Sequence, residues 1–350
     1  MKRFLKNSFS CMTALLCMSA LKSEAQDIHF SQFYETSILR NPALTGIYNG
    51  DYRFGIMYRN QWNSVNNAPF QTATATAEIK KQIGETQNFI GIGVLGFFDR
   101  TGSINLTTLS GNLSVSYNKS LNEEHSTFLS FGIMGGYLQR NYDPSKMILG
   151  NQYIPGSGYD PANPSGEKNL PNPKLSQMDI GAGINYTSNT GADNKTNYSV
   201  GLSAYHLTRP ESNFYGDIAG VRQDMRFNIN ASGNWLITET WSAQALGNFM
   251  QQGKYTEVIV GGMAGRKNAE SGSEDILILY GGLMYRLNDA VIPVIKIDYN
   301  DLTIGMSYDM NVSKLRAASN LRGGFEISLT KTGLMTDPQR GFSSTVCPKR

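Results

Sequence analysis

Residues Asp51 to Gln61 read DYRFGIMYRNQ. In an extended chain Tyr52, Phe54, Ile56 and Tyr58 point one way, and Arg53, Gly55, Met57 and Arg59 point the other. A strand with a greasy row on one face and two guanidinium groups on the other suits a wall between lipid and water. An arginine on the lipid face near the midplane costs about 2–4 kcal/mol. Arg53 and Arg59 are therefore expected to face an aqueous lumen, with the aromatic row in lipid.

The same alternation recurs downstream. It is weak in Gln71–Lys80, where Thr alternates with Ala, and clear in Phe89–Phe98. It is clearest where Leu109, Gly111, Leu113, Val115 and Tyr117 oppose Ser110, Asn112, Ser114 and Ser116. Further strands are expected at Thr127–Arg140, Gln177–Tyr186, Asn197–Leu207, Met225–Trp235, Trp241–Met250, Thr256–Met263, Ile276–Leu287, Ala290–Tyr299, Leu302–Asp309 and Arg322–Leu329. Pro293 demotes its stretch or marks a bulge. The total is about 14 strands, an even number as bacterial single-chain barrels require. The expected fold is all-β: a transmembrane antiparallel β-barrel over residues 51–330.

The links support that count. With both termini on the periplasmic side, the long links Tyr142–Leu175, Thr208–Asp224 and Met310–Leu321 fall on the outer side. Leu236–Thr240 and Asn300-Asp301 fall on the inner side, as in outer-membrane barrels. Gly265–Asp275 is long yet inner. Trp62 and Trp241 flank strand ends, where amphipathic rings form interfacial girdles.

Upstream of the first strand, Phe30, Phe33, Tyr34, Ile38 and Leu39 recur at helical spacing, with Asp27 or Ser31 as the N-cap. Pro42 should end that helix at Asn41. Residues 26–50 are expected to enter the lumen as a plug or to lie at the periplasmic rim.

Residues 1–25 have a basic start, an apolar stretch from Cys11 to Leu21, and small residues at Ser23 and Ala25. That is the pattern of a secretory signal peptide cleaved after Ala25. Leu16 is too bulky for the usual small residue before a lipidated Cys17. The leader holds four of the 31 basic residues and one of the 28 acidic ones, so 27 of each remain and the mature charge is zero. Such a balance gives no reason to expect nucleic acid as a partner. Cys347 is the single cysteine after the leader and has no internal partner. The last residues, 331–350, read as a periplasmic tail.

Reactive chemistry is sparse. His29, His125 and His206 share no metal-ligand spacing, and no G-x-S-x-G nucleophile elbow occurs. Asp99, Asp160 and Asp179 lack the dense acidic spacing of a calcium loop. No enzyme activity, cofactor or metal is expected. His206 reads as a polar lumen or rim residue.

Six blocks, in order, resemble one family. They are NPALTG (Asn41, Pro42 to Gly46) with YRNQW (Tyr58, Arg59, Asn60, Gln61, Trp62) and PFQT; GIGVLGFFDRTG around Asp99; HLTRPESNF with His206 and Pro210; MSYDMNVSKL with Tyr308 and Asp309; GGFEISL with Glu326; and the terminal CPKR with Cys347. On these the chain resembles the PorP/SprF family, outer-membrane proteins of the type IX secretion system of Bacteroidota. The family often places proline after RNQW, where this chain has Asn63.

The resemblance implies a barrel similar to the long-chain fatty-acid transporter. It also implies a role in secretion, surface display or anchoring of a large cargo protein with a type B C-terminal domain, and a link to gliding motility. The partners implied are other type IX secretion components and that cargo, around a body embedded in outer-membrane lipid, while a reading as structural anchor adds a peptidoglycan-binding periplasmic or lipoprotein partner. The motif residues are then candidates for partner contact. A passive channel or transporter of hydrophobic small molecules is the alternative, and a structural anchor is a third possibility.

Overall fold

The computed structural model describes residues 27–61, 70–84, 86–122, 126–160, 162–163, 173–190, 195–214, 220–268, 276–313 and 322–335. Fourteen antiparallel strands among them close into one barrel. They are β1 (Tyr52–Gln61), β2 (Phe70–Gln82), β3 (Phe89–Thr101), β4 (Leu106–Ser120), β5 (Thr127–Asn141), β8 (Lys174–Thr190), β9 (Thr196–Tyr205), β10 (Arg226–Leu236), β11 (Trp241–Gln252), β12 (Tyr255–Asn268), β13 (Leu277–Arg286), β14 (Ala290–Tyr299), β15 (Leu302–Asn311) and β16 (Arg322–Gly333). A small hairpin, β6 (Tyr153–Ile154) with β7 (Gly158–Tyr159), decorates the link between β5 and β8.

Each barrel strand pairs with the next barrel strand along the chain, β5 with β8 across the hairpin. The seam closes by β1 pairing β16, from Tyr52↔Gly333 to Gln61↔Gly324. Closure leaves no unpaired edge, which is what a lipid surround requires.

The alternation sorts as its chemistry demands. Phe54 and Ile56 are 52% and 57% exposed on the outer surface, while Arg53 and Arg59 are each 3% exposed inside. On β4, Leu109, Leu113, Val115 and Tyr117 face out, and Ser110, Ser114, Ser116 and Asn118 are buried within.

Most strands run a few residues beyond or short of the sequence reading, and two of these differences matter. β16 runs to Gly333, so the first residues of the expected tail are strand paired to Tyr52, Arg53 and Phe54. β12 runs to Asn268 and β13 starts at Leu277, which shortens the link that broke the sidedness rule. Pro293 does not end its strand. β14 holds one register against β15 on either side of it, at Val291↔Met310 and Val294↔Ser307. The irregularity lies one strand over, between Tyr308 and Met310 where β15 meets β16.

The expected helix is largely absent. Within residues 27–50, Ser37–Arg40 alone is α-helical, followed by a 3-10 turn at Pro42–Leu44. The helix stops at Asn41, as Pro42 dictates. Neither Asp27 nor Ser31 caps it. Thr36 holds the N-cap position without a side-chain cap bond. The cause is tertiary: the backbone N–H groups of Ser31 and Gln32 donate to the Glu326 carboxylate at 2.8 and 2.9 Å. A backbone satisfied by the barrel wall does not need helical carbonyls. The apolar spacing also serves a segment enclosed on all sides: Phe30, Phe33, Tyr34, Ile38 and Leu39 are all buried.

Candidate functional site: the filled lumen

The polar and charged inward face is occupied by the chain's own N-terminal segment. It enters at the end of the barrel carrying the long links, where Asp27 lies beside Gln252 and His206. It leaves at the opposite end, where Asp51 N–H donates to the Gly333 carbonyl (2.7 Å).

At the mouth, His206 Nε2 lies 2.5 Å from Asp27 Oδ2, and its Nδ1 lies 2.8 Å from Asp179 Oδ2. Arg226 Nη1 approaches the same Asp27 oxygen at 3.2 Å, and Gln223 Nε2 donates to Asp27 Oδ1 at 2.9 Å. Arg226 in turn stacks over Tyr205, 4.1 Å from the ring centroid. Burial opposes charge on His206, but Asp27 and Asp179 outweigh it and push the imidazole up to about 9. Burial likewise works against the Asp27 carboxylate, yet His206 and Arg226 hold it well below the usual range.

Deeper in, Arg59 pairs with Glu326 (2.8 Å) and Asp309 (3.1 Å), and Arg286 reaches Asp309 at 2.9 Å. Ser31 Oγ donates to Asp309 at 2.5 Å, and Gln32 bridges Ser307 and Ser328. His29 lies 3.5 Å from Glu257. The segment is thus bonded to β1, β15 and β16, across the barrel seam. Further along, Arg53 holds Glu78 and Ser37, and Glu78 accepts the Gly46 N–H at 3.0 Å.

The NPALTG turn sits on a floor of glycines. Asn41 Nδ2 donates to the Ile184 carbonyl, the Leu202 carbonyl and Asn230 Oδ1 at 3.1–3.3 Å, while its Oδ1 accepts the Ala43 N–H. A side chain at Gly132 would strike Pro42 and Ala43, and one at Gly183 would strike Asn41. Opposite this polar wall, Phe33 and Tyr34 pack with Ile259, Met263, Met284 and Ile292.

The motif residues therefore fall in several places. Asn41, Pro42, Gly46, Arg59, Asp309, Glu326 and His206 are all buried. They hold the segment in the lumen, so the inward face carrying Arg53 and Arg59 is not an open surface for a partner. Asn60 donates to the Tyr58 hydroxyl, and Gln61 accepts from Arg59. Asp99 accepts from Thr72 and Thr101, and the Pro210 carbonyl accepts from Gln223. Tyr308 faces outward. Trp62 and Cys347 lie outside the described residues.

Sequence reasoning missed Asp27, Glu78, Arg226, Glu257 and Arg286. Alternation could have placed the strand residues inward, but it carries no information on which side chains they meet there. His206 is held by the carboxylates of Asp27 and Asp179 and lies 3.0 Å from the Gln223 amide nitrogen. Among the described residues, no group of three His, Cys, Asp or Glu side chains is placed to hold a metal.

A family model described as type IX secretion system membrane protein PorP/SprF matches residues 22–330. Among solved structures, the toluene transporter TodX of Pseudomonas putida is similar over 86% of this chain and 95% of its own, at 10% identity and a TM-score of 0.46. A monoaromatic hydrocarbon channel, CymD, is similar over 85% and 92%, at 11% identity and a TM-score of 0.43. No curated protein matches the chain.

Proposed function

The chain belongs to the PorP/SprF family of type IX secretion system membrane proteins, an outer-membrane component of that system, and we propose that it serves one large secreted cargo without catalysing a reaction. It acts in the secretion, surface display or anchoring of a protein with a type B C-terminal domain, in cells that use such proteins for gliding. The observation that carries this reading is the family match over residues 22–330, nearly the whole barrel.

The filled lumen supports it in a second way. With Arg53, Arg59, Asp309 and Glu326 committed to the chain's own segment, cargo is handled at the rims and the long links rather than through a standing pore. The same filling speaks against a passive channel for hydrophobic solutes. The test is to delete the gene and measure large proteins at the cell surface. Loss of at least one type B cargo, restored by the gene in trans, is expected. Unchanged display of every such cargo contradicts the proposal.

A further inference from the structure

The Asp27 carboxylate is bound more elaborately than a chain tether needs. His206, Arg226 and Gln223 converge on it from two elements, and Gln252 accepts the Asp27 N–H at 3.1 Å. His206 takes up a left-handed backbone, φ +57°, a conformation rare outside glycine. Its second ring nitrogen is held by Asp179.

Without Asp27, the buried His206 imidazolium, 8% exposed at its side chain, would keep the Asp179 carboxylate, and the Arg226 guanidinium, 4% exposed, would lose its carboxylate and keep the Leu39 carbonyl. An uncompensated buried cation is costly, so a vacated receptor takes another anion. The receptor also lies at the mouth, where Asp27, Ile28 and His29 are partly exposed and Phe30 to Tyr34 are buried.

We propose that His206, Arg226 and Gln223 form a peptide-carboxylate receptor at the long-link mouth, occupied in this structure by Asp27, and that an acidic peptide competing for it frees the first turn of the N-terminal segment. The proposal goes beyond the secretion reading and stands without it. The groups that set the receptor's charge are Asp27 on the segment, Arg140 on β5, Asp179 on β8, His206 after β9 and Arg226 on β10. With the imidazole protonated up to about pH 9, the receptor is cationic at neutral pH.

The test is hydrogen exchange followed by mass spectrometry on the full-length protein in detergent at pH 7. In D27N, exchange at residues 27–36 is expected to rise at least about tenfold, the scale of a lost charged hydrogen bond, with the strands unchanged. In the unsubstituted protein, millimolar tri-aspartate is expected to speed exchange in the same stretch, and tri-asparagine is not. The peptide arm decides even where D27N loosens the whole barrel. If tri-aspartate leaves residues 27–36 unchanged, the proposal is overturned.

Discussion

At the residue scale, the segment is held in the barrel by charges buried in pairs. Glu326 is fully buried and takes Arg59 together with two backbone N–H groups. Removing one partner of such a group strands the rest. Glu326→Ala is expected to lower stability by about 3–5 kcal/mol, read as a lower urea midpoint for loss of the folded, heat-modifiable band. An equal midpoint would mean the cluster is decorative.

His206 gives a pH dependence of known sign. Its pKa is raised from 6.5 to about 9 in the fold, so its stabilisation is full below pH 6.5 and is lost as pH rises through 9. The stability difference between the wild type and His206→Gln should shrink across that window. A constant difference from pH 6 to 10 would refute the ion pair. Arg53 and Arg59 were legible as lumen residues because two charges on one face of a strand leave no other place for them. The partners of Arg59 were not legible: it meets Asp309 across 250 positions and Glu326 across 267, and period-two alternation fixes a face, not a neighbour.

At the scale of elements, the strands were readable and the segment was not. Each strand repeats a two-residue rule enforced by lipid on one side and water or polar groups on the other. The error at Phe30–Leu39 came from reading apolar spacing as a helix face, when those side chains are buried on every side. Pro42 still ended what helix there was, because that constraint is local. The NPALTG turn then depends on the absence of side chains beneath it. Gly132→Val is expected to push Pro42 and Ala43 off β5 and to cost about 1–3 kcal/mol. Faster exchange at residues 41–46 than at the strands would report it. Unchanged exchange would show that the floor has room to spare.

At the scale of the whole molecule, closure and filling are one design. The seam strands β1 and β16 pair along ten residues, and the segment that precedes β1 bonds both of them from inside through Arg53, Arg59, Glu326 and Ser328. A membrane barrel of this breadth with an empty, polar interior would pass water and ions. This one is stopped by 22 residues of its own chain, from Asp27 to Tyr48. Conductance of the purified protein in planar bilayers tests that claim most directly. The intact chain is expected to give no steady conductance, and the chain with residues 27–48 deleted clear channel steps. Steady conductance from the intact chain, equal to that of the deletion, would contradict it.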